Sequence, residues 1–427
     1  MLDRKYIIEN PEVVRRNCIN RNVEVDLDRF VELEQQRKSM QQDVDDLNRQ
    51  ANQVSKSIGK AKSAEEREQR KEEGRRLREA TNQRREQLDA LLAELDSIHR
   101  AIPNLSHPDA PVGEDDKSNL EIARGATEPR QFDFEPCDHV DLMESLGLVD
   151  FEAGARVAGH GFYFLRGDAV LLELALQRYA IEALVRDGFT PMTTPDLARN
   201  DVLEGTGYIP RGPETQIYSI AESDLSLIAT AEITLGGLLA GEMIDPGRLP
   251  IKLCGLSHCF RTEAGAHGRA TRGLYRVHQF TKVEMFAFTL PEDSEETLER
   301  FRAIECRLFD GLDIPYRVVD TATGDLGGPA YRKYDLEAWM PGRGEFGEVT
   351  STSNCTDYQA RRLNIRFKRP GEKGTQFVHT LNGTAIAISR ALIALLENHQ
   401  QADGSVIVPE PLRPWVGKER IGEVATG

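Results

Sequence analysis

The spacing of apolar residues changes character along this chain. Met40, Val44, Leu47, Ala51, Val54 and Ile58 recur at steps of 4, 3, 4, 3 and 4, a heptad seam down one helix face. A second seam, Leu77, Thr81, Arg84, Leu88, Leu91, Leu95 and Ile98, runs at 4, 3, 4, 3, 4 and 3. Residues 58–63 supply a reversal between them, so an antiparallel coiled-coil hairpin is expected over about residues 27–100. Each helix would take roughly 35–40 residues, and the arm would reach on the order of 50–60 Å. Toward the turn the seams weaken and charge takes over, which leaves the tip available for contact. Residues 1–26 read as a small helical entry piece, with Asn10-Pro11 a helix start.

Residues 101–116 (AIPNLSHPDAPVGEDD) are rich in Pro, Asp and Gly and read as a linker. They divide the chain into a helical domain, 1–103, and a second domain, 104–427. Beyond them the pattern mixes strands with helices. Residues 161–165 (GFYFL) read as a short buried strand, 169–186 as an amphipathic helix, and 188–195 (GFTPMTTP) as a strand ending in proline. Further strands are expected within 225–239, 316–320, 331–339 and 346–354. Residues 251–256 and 283–288 look like the paired sides of a long hairpin. A long helix is expected over 384–399, opened by Asn382-Gly383. Strands without strict βαβ alternation point to an α+β fold, a mainly antiparallel sheet flanked by helices. GxxxxGK[ST] does not occur, and the one GxGxxG, residues 342–347, lies between two expected strands rather than opening a helix, which disfavours a parallel nucleotide-binding fold.

Composition sharpens this picture. Hydrophobic residues make up 39% of the 427, enough for a real core, while a mean hydropathy of -0.47 signals a very polar surface. No run approaches the ~20 apolar residues of a membrane span, and the first residues lack the order of a secretory signal. Cysteines 18, 137, 254, 259, 306 and 355 are scattered without a CxxC pair, suggesting neither a disulfide framework nor a zinc site. A cytoplasmic, reducing location is expected.

A net charge of -16 argues against blanket nucleic-acid affinity. Yet residues 56–86 hold eleven Lys or Arg against seven Glu. Composition alone favours a solvated, ion-paired helix face over a binding surface. The other charged stretch, 259–288, sets Arg261, Arg269, Arg272, Arg276, Lys282, Glu263 and Glu284 between two apolar ends. Its Gly-rich middle cannot bury itself, and a loop with four arginines requires an anionic partner, of which a nucleoside triphosphate is the natural candidate.

These residues resemble the seryl-tRNA synthetases, a class II aminoacyl-tRNA synthetase family, over essentially the whole chain. Residues 188–195 resemble motif 1 with its proline, Pro195. Residues 259–288 resemble motif 2, with Phe260-Arg261-Thr262-Glu263 as its Phe-Arg-x-Glu element. Residues 382–400 resemble motif 3, whose arginine would be Arg390. Thr230-Ala231-Glu232, HQFTKVEM (278–285) and SNCTDYQARR (353–362) are seryl-type features.

The resemblance implies roles. Arg261, Glu263 and Arg390 would be catalytic, with Arg261 on the α-phosphate and the substrate carboxylate and Arg390 on the γ-phosphate. ATP would also meet Thr262, Val277, Phe280, Glu348, Val349, Thr350 and Ser351, with Phe280 stacking on adenine. Glu348 and Ser351 would hold Mg2+. L-serine would be held by Thr230 and Glu232 at its ammonium, Glu284 at its hydroxyl, and Arg261, Asn382 and Thr384. Many family members have serine where this chain has Thr384, so a tighter pocket that still admits serine is expected. The arm would grip the long variable arm of tRNA(Ser), and of tRNA(Sec) where present. Motif 1 would build a homodimer. The alternatives are a paralogue loading serine onto another acceptor, or a non-catalytic relative. The intact arm and the presence of Arg261, Glu263, Glu284, Glu348 and Arg390 stand against both.

Overall fold

The structure, a computed structural model, describes residues 1–208, 216–263 and 273–422. The chain divides into two units, Met1–Pro103 and Asn104–Gly427.

The first unit is helical: α1 (Arg4–Glu9), α2 (Pro11–Asn20), α3 (Leu27–Ile58) and α4 (Ala64–Ala101). Pro11 opens α2 at a position whose N–H needs no partner. Ser63 caps α4 by accepting from the Glu66 N–H, and the Glu66 carboxylate reaches back to the Lys62 N–H at 2.7 Å. The seams meet as expected. Val44, Thr81, Leu88, Leu91 and Leu95 are buried, whereas Ala51, Val54, Ile58 and Leu77, nearer the turn, are half-buried. Arg84 occupies its seam position by forking onto Asp43 of the opposite helix.

Two details differ from expectation. Helix α3 has 32 residues, fewer than the pattern predicted, because it stops at Gly59. At the base of the arm the buried residue is His99, not Ile98. His99 packs on Phe30 and shares a 2.8 Å hydrogen bond with the Leu2 carbonyl. Burial pushes its pKa down to about 4, so the ring is neutral and behaves as a core side chain.

The second unit is built on one sheet. In chain order its elements are β1 (Leu120–Arg124), α5 (Asp168–Arg186), β2 (Thr190–Thr193), α6 (Ala231–Gly237), β3 (Ile251–Phe260), β4 (Gln279–Thr289), α7 (Ser294–Asp310), β5 (Tyr316–Asp320), β6 (Arg332–Met340), β7 (Glu345–Asn354), α8 (Tyr358–Leu363), β8 (His379–Ala387) and α9 (Ile388–His399). The eight strands run in the order β1-β5-β6-β7-β8-β4-β3-β2. Neighbours are antiparallel except β2 and β3, which are parallel. Leu172 and Leu176 of α5, Leu298 and Phe301 of α7, and Leu392 and Leu396 of α9 form one core with Val283, Met285 and Leu336 of the sheet. Side chains alternate across a strand, so residues such as Lys282 and Glu284, alternating with Val283 and Met285, face away from these helices.

Four expectations require correction. Within 161–165 only Phe164–Leu165 is a strand, and Phe164 is exposed. Within 225–239 the strand ends at Leu227 and α6 follows, because the Thr230 hydroxyl accepts from the Glu232 N–H at 3.1 Å and starts a helix. Residues 382–387 belong to β8, and the helix begins at Ile388. The run TAIAI fits either period, and pairing of Thr384 with Glu284 decides it. The segment 101–116 is not a free tether. The Asn104 side-chain amide donates to the Pro329 and Cys355 carbonyls, both at 2.9 Å, and the His107 N–H to the Tyr331 carbonyl at 2.8 Å.

Glu305 of α7 is 1% exposed and its Oε1 has no hydrogen-bond partner. Burial, then Asp335 and Glu284, raise its pKa well above 4.5, so the folded chain holds a proton that the unfolded chain releases. Stability therefore falls as pH rises above that value, by about 1.4 kcal/mol for each tenfold in proton affinity. In Glu305→Gln this slope is expected to disappear, measured by urea unfolding between about pH 5 and 8.

Candidate active site

Three neighbouring strands, β7, β8 and β4, bring chemistry to the open face of the sheet. Phe280, Lys282 and Glu284 alternate along β4, Asn382 and Thr384 along β8, and Ser351 and Ser353 along β7. All line one cavity of about 430 Å³, together with Glu232 of α6, Arg261, Glu263, Glu348 and Arg390. Val277, Val349 and Thr350 line it as well. Of the expected site residues, Thr230 and Thr262 lie outside this lining. Thr230 acts from behind, as the cap of α6, and the Thr262 N–H donates to the Gln216 carbonyl at 3.0 Å. Arg269 and Arg272 lie outside the described residues.

Helix α6 reaches the sheet where β3 has Gly255. A Cβ there would sit 2.9 Å from the Ala231 Cβ and from a Leu235 methyl, so glycine permits the approach. Gly255 pairs with Glu284, which brings Glu232 and Glu284 to the same end of the cavity. Glu232 accepts from Gln359 Nε2 at 2.7 Å and Asn382 Nδ2 at 2.9 Å on one oxygen, and from the Tyr208 hydroxyl at 3.1 Å on the other. Burial and then Glu284 nevertheless raise its pKa to about 7. Glu284, 2% exposed, lies 2.5 Å from Lys282 Nζ and accepts from the Thr384 hydroxyl at 3.4 Å.

The other end is cationic. Arg261 lies over the Phe280 ring, 5.2 Å from its centroid, and its N–H donates to the His278 carbonyl at 3.0 Å. Arg390 donates to the Glu348 carbonyl at 2.9 Å, pairs with its carboxylate at 3.2 Å, and lies over Tyr275 at 4.7 Å. Burial opposes ionisation of Glu348, but Arg390, then Lys333 and Arg261, hold its pKa below the usual range. Glu263 has φ 51°, a left-handed conformation costing about 1–3 kcal/mol, and its carboxylate accepts from Arg276 at 3.3 Å. Among the described residues no group of three or more His, Cys, Asp or Glu could hold a metal by itself. A phosphate-bound Mg2+ needs only one or two protein ligands, and Glu348 and Ser351 both line the cavity with oxygen donors.

Sequence reasoning assigned no role to Tyr208, Gln359, Tyr275 or Lys333. Gln359 lay inside a run quoted for its family likeness. Lys282 and Glu284, two apart on a strand, share a face, and that spacing is a signal the sequence does carry. Tyr208 and Tyr275 gave none.

A mainly antiparallel sheet whose open face gathers arginines and carboxylates around one cavity is the architecture of class II aminoacyl-tRNA synthetases. Residues 217–399 match the tRNA synthetase class II core domain (G, H, P, S and T). Residues 1–106 match the seryl-tRNA synthetase N-terminal domain. The chain belongs to the seryl-tRNA synthetase family. It is 60% identical over 420 residues to the serine–tRNA ligase of Rhodopirellula baltica, covering 98% of both chains. It is 57% identical over 422 residues to that of Rubrobacter xylanophilus, covering 99% of each. Its fold matches a crystal structure of seryl-tRNA synthetase from Pyrococcus horikoshii complexed with ATP, with a TM-score of 0.90 and 40% identity over 99% of this chain and 100% of that one.

The surroundings of Glu232 predict a carboxyl group titrating near pH 7. Carboxyl-stretch infrared difference spectra of the substrate-free enzyme should show it, and Glu232→Gln should remove it. Tyr208→Phe, lacking one donor to the carboxylate, should move it higher.

Proposed function

We propose that this chain is a serine–tRNA ligase. It condenses L-serine with ATP to seryl-adenylate and pyrophosphate, then transfers serine to the 3′ end of tRNA(Ser), and of tRNA(Sec) where present. The observation that carries the reading is the convergence of Glu232, Glu284 and Arg261 on one cavity. Serine is a zwitterion with a short hydroxyl, and that set answers each of its groups. The ATP complex of the Pyrococcus horikoshii neighbour supports ATP as the second substrate. The arm and the near-complete overlap with serine–tRNA ligases weigh against a carrier-loading paralogue.

Both reactants are anions, so the chemistry is a matter of screening and alignment rather than of a protein nucleophile. The serine carboxylate attacks the α-phosphorus as pyrophosphate leaves. Arg261 holds both, because its planar fork donates two bonds and stays charged. Adenine lies against Phe280, with Arg390 also serving the γ-phosphate. Glu263 and the Val277 backbone read the adenine edge, beside Thr262, Val349 and Thr350. Glu348 and Ser351 would hold Mg2+, which neutralises phosphate charge when bound. Glu232 takes the ammonium, its position fixed by Thr230. Asn382, already bonded to Glu232, orders that side, and Thr384 with Glu284 receives the hydroxyl.

On the arm, Arg70, Lys71, Arg75 and Arg76 are ion-paired, while Lys60, Lys62, Arg78 and Arg85 have no ion pair among the described residues. Those cations suit tRNA phosphates, with salt-dependent, shape-directed binding. The exposed apolar Val170, Leu171, Leu174 and Val185 of α5, with β2 at the sheet edge, support an isologous homodimer. No helix among the described residues is long and apolar enough to cross a membrane, which suits work in the cytoplasm.

Serine should drive ATP–pyrophosphate exchange well ahead of threonine, and the reverse order would overturn the assignment. Deleting about residues 35–95 of the arm should leave exchange largely intact while tRNA charging collapses. Equal loss of both would count against a separable arm. Because the ammonium requires ionised Glu232, the KM for serine should rise as pH falls below about 7, approaching tenfold per pH unit. Glu232→Gln should abolish that dependence along with most activity.

A further inference from the structure

Lys282 is 5% exposed, and lysine is almost never so buried without a partner. Its Nζ lies 2.5 Å from Glu284 Oε2 and donates to the Thr384 hydroxyl at 3.3 Å. That hydroxyl in turn donates to the same carboxylate oxygen at 3.4 Å. An ammonium carries three protons. Two are committed here, which leaves one for a ligand in the cavity that Lys282 lines.

Consider the cavity without it. Glu232 and Glu284 would be two buried carboxylates, a site suited to a substrate with two ammonium groups. With Lys282 beside Glu284 the local charge is balanced, and acceptor and donor stand side by side. We propose that Lys282 is a specificity-determining residue that turns the Glu284 end of the cavity into a hydroxyl site and rejects a side-chain ammonium. This rests on the reading that Glu284 receives the serine hydroxyl. A hydroxyl donates to Glu284 and accepts from Lys282. An ammonium has no acceptor for Lys282 and meets a like charge. A methyl group satisfies neither residue and leaves both unpaired, which is costly in a buried site.

The test compares serine with L-2,3-diaminopropionate, which replaces the hydroxyl by an amine, in ATP–pyrophosphate exchange. In Lys282→Met, kcat/KM for serine should fall by roughly 10- to 150-fold, the loss of one charge-assisted hydrogen bond. The analogue should fall less or gain, so that the preference for serine shrinks at least about tenfold. Lys282→Gln should behave likewise, and Lys282→Arg should restore most of the preference, with folding checked by circular dichroism. Unchanged preference in the first two variants, or equal loss for both substrates, overturns the proposal. The wild-type enzyme supplies an arm independent of mutation. Its analogue-to-serine ratio should rise with pH as the analogue's side-chain amine becomes neutral, and a flat or falling ratio is an overturning result. If the wild type does not activate serine at all, it is the assignment of the site that fails.

Discussion

Keeping two buried carboxylates, Glu232 and Glu284, in one cavity is the constraint on which most of the catalytic unit depends. An ionised carboxylate removed from water is costly unless donors or a countercharge replace its hydration. Glu232 meets this with three neutral donors, from Tyr208, Gln359 and Asn382. Each comes from a separate part of the chain, so the carboxylate ties together β8, α6, α8 and the segment ahead of residue 209. Glu284 meets it with a countercharge from its own strand. The two solutions differ in consequence. Neutral donors leave Glu232 able to take a proton near neutrality. A fixed cation beside Glu284 balances the charge at that end of the cavity instead.

The cations of the two units stand in different surroundings. On the arm the cations stand on solvated helix faces, some already paired with glutamates, so any grip on phosphate is weak per contact and screened by salt. In the cavity Arg261 and Arg390 sit on aromatic rings, Phe280 and Tyr275. Arg390 already bonds the Glu348 backbone and carboxylate. Its side chain is therefore ordered without a ligand, which would lower the cost of binding the proposed nucleotide.

Much of this was legible in the sequence, for identifiable reasons. The heptad steps from Met40 to Ile58 and from Leu77 to Leu95 encode a hairpin because a seam needs a partner seam. The β3–β4 hairpin was readable because its two apolar runs flank a Gly-rich, charged stretch. Legibility failed where tertiary contact overrides a weak local signal. TAIAI has the composition of either element, and only its pairing with β4 makes it a strand. Residues 231–237 follow a strand closely enough to look like its continuation, and the Thr230 cap decides otherwise. Ile98 fitted the heptad better than His99, but His99 found a carbonyl and Phe30 and was buried. The donors to Glu232 were not readable as such, because a tyrosine or glutamine gives no sign of which distant carboxylate it will meet.

The extra methyl of Thr384 shows how local selectivity comes to depend on the whole arrangement. Distinguishing serine from threonine turns on one methyl group, worth only about 1–3 kcal/mol unless the wall that meets it is rigid. Thr384 is buried, β-branched and stiff at χ1. Its hydroxyl is held at both ends, accepting from Lys282 and donating to Glu284. A serine at this position could make the same two bonds but would leave space where the methyl now stands. The Lys282–Glu284 pair that satisfies the buried charge thus also fixes the rotamer of the neighbouring wall. In the proposed serine site, rigidity against the larger substrate and polarity for the correct hydroxyl would both come from these three side chains.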